Sequence, residues 1–229
     1  MNFIKESLFF GMFISLLSYE TGLLIKKKWK LAILNPLLIS IVIIIIVLNV
    51  CHISFEEYNQ GGKYISYLLT PATVCLGVPL YEQLEILKQH KKAIFAGVIS
   101  GVLASLGSVL ALSVAFGLSH EEYVTLLPKS ITSAIGMGVA QELGGIPNIT
   151  VAVIVITGIL GNMFGETICR LTKIEEPVAK GIGIGSASHA MGTAKAMELG
   201  EVEGAMSGLS VAVSGLVTVI GAAIFANFY

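Results

Sequence analysis

Four runs without a charged residue, at 31–50, 93–119, 143–165 and 204–229, constrain the fold more than any other feature of this chain. About 20 apolar residues, rising about 1.5 Å each, carry an α-helix across the ~30 Å hydrocarbon core of a bilayer. Each run reaches that length. In lipid every backbone N–H and C=O must be satisfied within the protein, which leaves helices and closed barrels. Barrel strands read as alternating segments of ~10 residues, and no such alternation occurs here. Charged residues are 13% of the 229, about half the share in a soluble domain. The sequence therefore predicts an all-α polytopic membrane protein in a single domain, 1–229, multi-pass in the cell membrane.

Six spans are expected, at about 3–25, 31–50, 62–81, 93–118, 147–169 and 204–227. Lys5 and Glu6 precede a long apolar stretch without a small-residue cleavage site, so the first span reads as a retained helix. Short loops rich in Lys and Arg stay cytoplasmic. Lys26, Lys27, Lys28 and Lys30 put the first loop inside, as Lys88, Lys91 and Lys92 do for 82–92. Loops 51–61 and 119–123 hold glutamates and no Lys or Arg, and read as outside.

A repeat modifies this plan. Residues 130–144 (SITSAIGMGVAQELG) recur at 186–200 (SASHAMGTAKAMELG), offset by 56 without a gap and identical at seven of fifteen positions. The uncharged stretches there, 130–141 and 181–194, are too short for a comfortable crossing. Loop 170–180 carries Arg170, Lys173 and Lys180. It falls inside only if the first copy, about 127–144, enters from outside and turns back. The second copy, about 181–200, then enters from inside. Two re-entrant or broken segments, each followed by a full span, make an inverted repeat: units 127–169 and 181–227 beside scaffold spans in 1–118. That plan points to a secondary transporter. Re-entrant backbone is tolerated where it is buried or lines a cavity. Gly136, Gly138, Gly144, Gly145, Gly181, Gly183, Gly185, Gly192 and Gly200 suit it, or serve helix packing alone. Pro71 and Pro79 interrupt the third span, as a functional break beside Thr70 and Thr73 or as a benign kink.

The polar residues of the two copies form the candidate site. Ser130, Thr132, Ser133, Gly136, Ser186, Ser188, His189, Gly192 and Thr193, with Thr70 and Thr73, are the candidate substrate-binding residues. Most are hydrogen-bond donors, and helix N-termini after Gly-rich breaks add backbone N–H groups, which suits a small carboxylate. His189 is the histidine inside a membrane segment; an ionisable residue there is a functional hypothesis by default and titrates in the range for proton coupling. Its bland reading is a hydrogen-bonded core residue. Glu142, Glu166, Glu198 and Asn162 are further candidates for ion or proton coupling. Glu142 and Glu198 share a repeat position and can equally sit at the membrane edge. Glu166 is a cavity-facing site or a span-end cap. Lys195 is three residues from Glu198, within pairing distance on a helix face.

Other chemistry is excluded or unsupported. The chain has no aspartate, which rules out a phosphorylated Asp or an Asp triad. It has no GxxxxGK[ST], HExxH or GxSxG, and Gly181-x-Gly183-x-Gly185 lacks the context of a dinucleotide loop. Cys51, Cys75 and Cys169 are scattered and read as small apolar filler. No enzyme, resident cofactor, metal or nucleic-acid role is expected; coupling to H+ or Na+ is compatible with the glutamates and His189.

NPLLIS (35–40), LLTPATVCLGVPLYEQ (68–83), ITSAIGMGVAQELGG (131–145) and GIGIGSASHAMGTAKAMELGEVEGAMSGLS (181–210) together resemble the LrgB/CidB family, across essentially the whole chain. The resemblance implies an antiholin-like protein that acts with a small LrgA/CidA-like membrane partner in controlling murein hydrolase activity and autolysis. It also implies, from members resembling the plastidial glycolate/glycerate translocator and bacterial pyruvate carriers, transport of small monocarboxylates. The chain carries only the LrgB-like part, so the partner is expected as a separate protein. A homo-oligomer is compatible with either reading. No agreed binding residues come with the resemblance.

Overall fold

The computed structural model describes residues 9–29, 34–68, 71, 74–75 and 77–229. Among them the ordered structure is helical, without a strand. The chain forms two compact units, Met1–Cys75 and Leu76–Tyr229.

The first unit holds α1 (Phe10–Trp29), α2 (Pro36–Val50) and α3 (Phe55–Ser66). Asn35 caps α2: its side-chain oxygen accepts from the Leu37 and Leu38 amides at 2.8 and 3.3 Å. Pro36 takes the first helical position, where its missing N–H costs nothing. Helix α1 approaches both neighbours through glycine. Gly22 lies on the Pro36 backbone and Gly11 on the Tyr58 carbonyl, with Ser15 and Tyr58 hydroxyls 2.7 Å apart.

A single span over 62–81 does not form among the described residues. Instead α3 starts at a Ser54–Glu57 capping box and ends at Ser66, and α4 (Gly77–Glu82) follows. Ser54-x-x-Glu57 is a helix-start signature, which moves the helix into the stretch expected to be a loop. Among the described residues three helices are long and apolar enough to cross a membrane: Lys88–Phe116, Pro147–Leu171 and Glu201–Phe228.

The second unit continues with α5 (Leu84–Phe116), α6 (His120–Leu126), α7 (Ser133–Glu142), α8 (Pro147–Leu171), α9 (Pro177–Leu199) and α10 (Glu201–Phe225), closed by a 3-10 turn at Ala226–Phe228. Ile94, Val98, Val102 and Leu106 recur every fourth residue of α5. This stripe joins Tyr123, Leu127, Ile131, Ile182 and Met206 in one buried cluster.

Helix α9 doubles back. At His189 the backbone takes φ 45°, ψ −143°, which splits α9 into arms 177–188 and 190–199. Residues eight apart in a straight helix are ~12 Å apart. Here a Cβ on Gly192 would lie 2.9 Å from the Ile184 carbonyl oxygen. Ile184 and Ala196 also share a cluster with Cys169. Along α10 the first arm advances with the chain, Gly181 facing Glu203 and Gly185 facing Ser207. The second arm runs the other way: Thr193 reaches Ser207, and Met197 reaches Gly204.

The first repeat copy makes a smaller hairpin. Helix α6 leads into a turn at 127–132, and α7 returns to the start of α8. Its base is closed by Thr125, whose hydroxyl accepts from the Ile146 amide at 2.8 Å and whose carbonyl accepts from the Thr150 hydroxyl at 2.9 Å. A Cβ on Gly136 would lie 3.5 Å from the Pro128 carbonyl. Gly136 and Gly192 are 56 residues apart, as are Pro128 and Ile184. The same repeat glycine closes each hairpin onto the same repeat carbonyl. Lipid gives helices no hydrophobic reason to associate, so small residues and hydrogen bonds must hold such arms.

Candidate functional site

The two hairpin tips lie against the middle of α5. A Cβ on Gly97 would be 3.1 Å from Ile182, and one on Gly101 would be 2.8 Å from Ser186 Oγ. One turn further, Ser105 Oγ lies 3.0 Å from Ser130 Oγ. Ser130 and Ser186 occupy the same repeat position, and the centre of the Lys88–Phe116 helix, Val102, lies between their contacts. Four helical residues separate the contacts by ~6 Å along the axis.

The bases lie at opposite ends of α10. The α9 hairpin meets the Glu203 end. The α6–α7 hairpin meets the other: Tyr123 donates from its hydroxyl to the Phe225 carbonyl at 2.8 Å, and His120 Nδ1 lies 2.6 Å from the Tyr229 carbonyl. Between them a Cβ on Gly215 would lie 3.3 Å from Ile135 Cδ1.

His189 holds the bend of the second hairpin. It is 3% exposed, and its Nε2 lies 3.0 Å from the Ile154 carbonyl oxygen of α8. A carbonyl can only accept, so Nε2 carries the proton in this contact. A Cβ at Gly158 would come within 2.7 Å of the ring; the bare glycine makes the approach possible. Side chains bond two carbonyls just past the bend: the His189 carbonyl accepts from Thr193 Oγ1 at 3.1 Å, and the Met191 carbonyl from Asn162 Nδ2 at 2.8 Å. Ser188 is buried against Gly161, where no larger residue would fit. Ser186 donates to the Ile182 carbonyl at 2.6 Å. Several of the expected substrate-binding residues of the second copy are thus engaged in building the tip.

The first tip is less committed. Thr132 is the N-cap of α7 and makes no side-chain cap bond, and Thr132 and Ser133 are half-buried. Gly136 and Gly192 act in packing, as their repeat-matched contacts require. Thr70 and Thr73 lie outside the described residues.

The candidate coupling acids sit away from the tips. Glu142 is exposed at the end of α7, nine residues from Ser133, or ~14 Å along the helix. Glu198 holds the matching place in the second hairpin. Lys195 Nζ bridges Glu166 at 3.0 Å and Glu198 at 3.3 Å, and Arg170 approaches Glu166 at 3.8 Å. This cluster ties the returning arm of the second hairpin to α8. Such partly exposed pairs are worth about 1 kcal/mol or less each.

Three residues at or against the tips are not among the sequence candidates. Lys129 stands at the tip of the first hairpin, half-buried, and donates to Ser130 Oγ at 3.0 Å. Ser105 receives that tip on α5, and Gly101 receives the other. A cation next to a repeat-defined serine is a readable signal, but it falls one residue before the matched block begins. Ser105 and Gly101 lie in a featureless apolar run, and only contact reveals them. Among the described residues no group of His, Cys, Asp and Glu could hold a metal ion.

Residues 15–228 match the model of the LrgB-like family. Proteins named antiholin-like protein LrgB from Bacillus mycoides, Bacillus cereus and Bacillus anthracis are each 36% identical over 221 residues, covering 96% of both chains. No solved structure matches. With a family match over nearly its full length and relatives of this identity and coverage, the chain belongs to the LrgB-like family.

Proposed function

We propose that the two hairpins are re-entrant segments entering the cytoplasmic membrane from opposite faces as an inverted repeat, and that the protein is a secondary transporter of small monocarboxylates. The observation that carries this reading is the approach of Ser130 and Ser186 to one face of α5, a single turn apart at its centre. Two matched polar tips brought to the middle of a long apolar helix are the usual plan of a carrier's substrate site. Loop charges support the sidedness: Arg170, Lys173 and Lys180 stand at the base of the α9 hairpin, and Glu121 and Glu122 at the start of the other. The half-buried hydroxyls of Thr132 and Ser133 and the Lys129 ammonium favour an anion. A separate small LrgA/CidA-like protein is the expected partner, and H+ or Na+ the expected coupling ion.

A second reading has its own support. The relatives bear the name antiholin-like, and no relative named above carries a transport substrate in its name. On that reading the protein modulates murein hydrolase activity and autolysis through membrane integrity. Its polar tips would then serve folding or partner contact. Uptake of labelled pyruvate, lactate and glycolate into proteoliposomes, with and without the small partner, separates the two. Saturable uptake of at least one supports the carrier. No uptake of any, from protein that is folded by thermal melting, removes that reading and leaves the antiholin-like one.

A further inference from the structure

Lys129 is the one charged residue at either hairpin tip. It stands seven residues from Gly136, where α7 is already packed on α8, and beside Ser130 at the centre of α5. The ion pairs among the described residues join Arg170, Lys195, Glu166 and Glu198, and Lys129 takes part in none of them. Its Nζ donates to Ser130 Oγ, and that hydroxyl lies 3.0 Å from Ser105 Oγ. An ammonium has three N–H donors, and this bond uses one. A charged Lys in the middle of a bilayer costs roughly 2.5–3.5 kcal/mol on insertion scales, and such residues pair or serve a pathway. Its head is turned to Ser130, against α5, rather than extended toward the hairpin base.

The repeat explains why there is only one such cation. The position matching Lys129 in the second copy is Gly185. A side chain there would strike the Ser207 backbone of α10. The second tip therefore cannot carry a counterpart, and the pair of tips presents a single positive charge with two serines.

We infer that Lys129, with Ser130 and Ser105, is the anion-binding group of the site, and that its single unpaired charge selects monoanions over dianions. This rests on the transporter reading for its physiological meaning, but binding can be measured without transport. A monocarboxylate neutralises the ammonium and accepts from its remaining N–H groups. A dicarboxylate of similar size would leave one negative charge uncompensated at the same depth.

The test is calorimetric titration of sodium glycolate, sodium pyruvate and sodium oxalate at pH 7 into the purified protein in detergent. Wild type and the Lys129→Gln and Lys129→Arg variants are compared, each checked by thermal melting. The expected result is binding of glycolate or pyruvate, and much weaker binding of oxalate. Lys129→Gln should lose affinity by about tenfold or more, as for one charge-assisted hydrogen bond, with Lys129→Arg recovering part of it. A folded Lys129→Gln that binds as wild type does, oxalate binding as tightly as glycolate, or no binding of either monoanion to wild type would each overturn the inference. Binding without uptake in proteoliposomes would overturn the transporter reading while leaving the anion site standing.

Discussion

Two glycines in one arm of α9 should respond to the same substitution with opposite signs. Gly185 packs on α10, where a new Cβ would collide with the Ser207 carbonyl and lie 2.8 Å from its Cα and Oγ. Backbone cannot rotate away, so Gly185→Ala incurs overpacking of about 1–3 kcal/mol, toward the upper end. It recovers up to ~1 kcal/mol from the better helix propensity of alanine. The net is a loss of about 1–2 kcal/mol. Gly183 has no neighbour within 4 Å of a new Cβ. Gly183→Ala keeps only the propensity gain of up to ~1 kcal/mol. The two variants should then differ by about 2–3 kcal/mol, or about 4–12 °C in melting temperature for a chain of this size. Thermal unfolding of both variants in detergent, followed by tryptophan-independent dye fluorescence, measures it. Equal melting temperatures, or a less stable Gly183→Ala, would refute the packing of arm 177–188 along α10.

Three further outcomes are expected. At His189, φ 45° disfavours any Cβ, so His189→Gly should melt above His189→Ala by about 1 kcal/mol; a continuous helix would give the reverse order by a similar amount. In a background with Cys51, Cys75 and Cys169 replaced, Ser105→Cys with Ser130→Cys should cross-link under mild oxidant, since the two hydroxyls lie 3.0 Å apart; absence of the cross-link in folded protein would detach the first tip from α5. The Ser119 backbone amide and hydroxyl hold the Glu122 carboxyl below its usual range. A depressed folded value means the cap's contribution is present above the ordinary Glu range and lost as pH falls through the lower folded value. Ser119→Ala should therefore narrow the difference in melting temperature between neutral and mildly acidic pH; an unchanged difference would count against it.

The sequence carried the long helices clearly, because α8 and α10 follow uncharged runs that only a membrane or a deep core accepts. It also carried the two polar copies, since Ser130/Ser186 and Gly136/Gly192 keep their spacing and their contacts. It did not carry what those residues touch. His189 looks from sequence like a site residue, and its ring is engaged with a carbonyl of α8 that nothing near it in sequence announces. Lys129 was legible as a residue but not as a tip residue until the 127–132 turn was formed. Among the described residues α3 ends at Ser66, inside the third expected span, after a capping box at Ser54 that an apolarity window averages away.

The sidedness of the hairpin bases tests the central claim most directly. Single cysteines at Glu121 or Glu142, and at Lys173 or Glu198, would be introduced into the cysteine-free chain in intact cells and treated with a membrane-impermeant maleimide. Labelling at Glu121 and Glu142 from outside, with Lys173 and Glu198 labelled only after the inner face is exposed, is the predicted result. Labelling of both pairs from the same side would contradict two hairpins that enter the membrane from opposite faces.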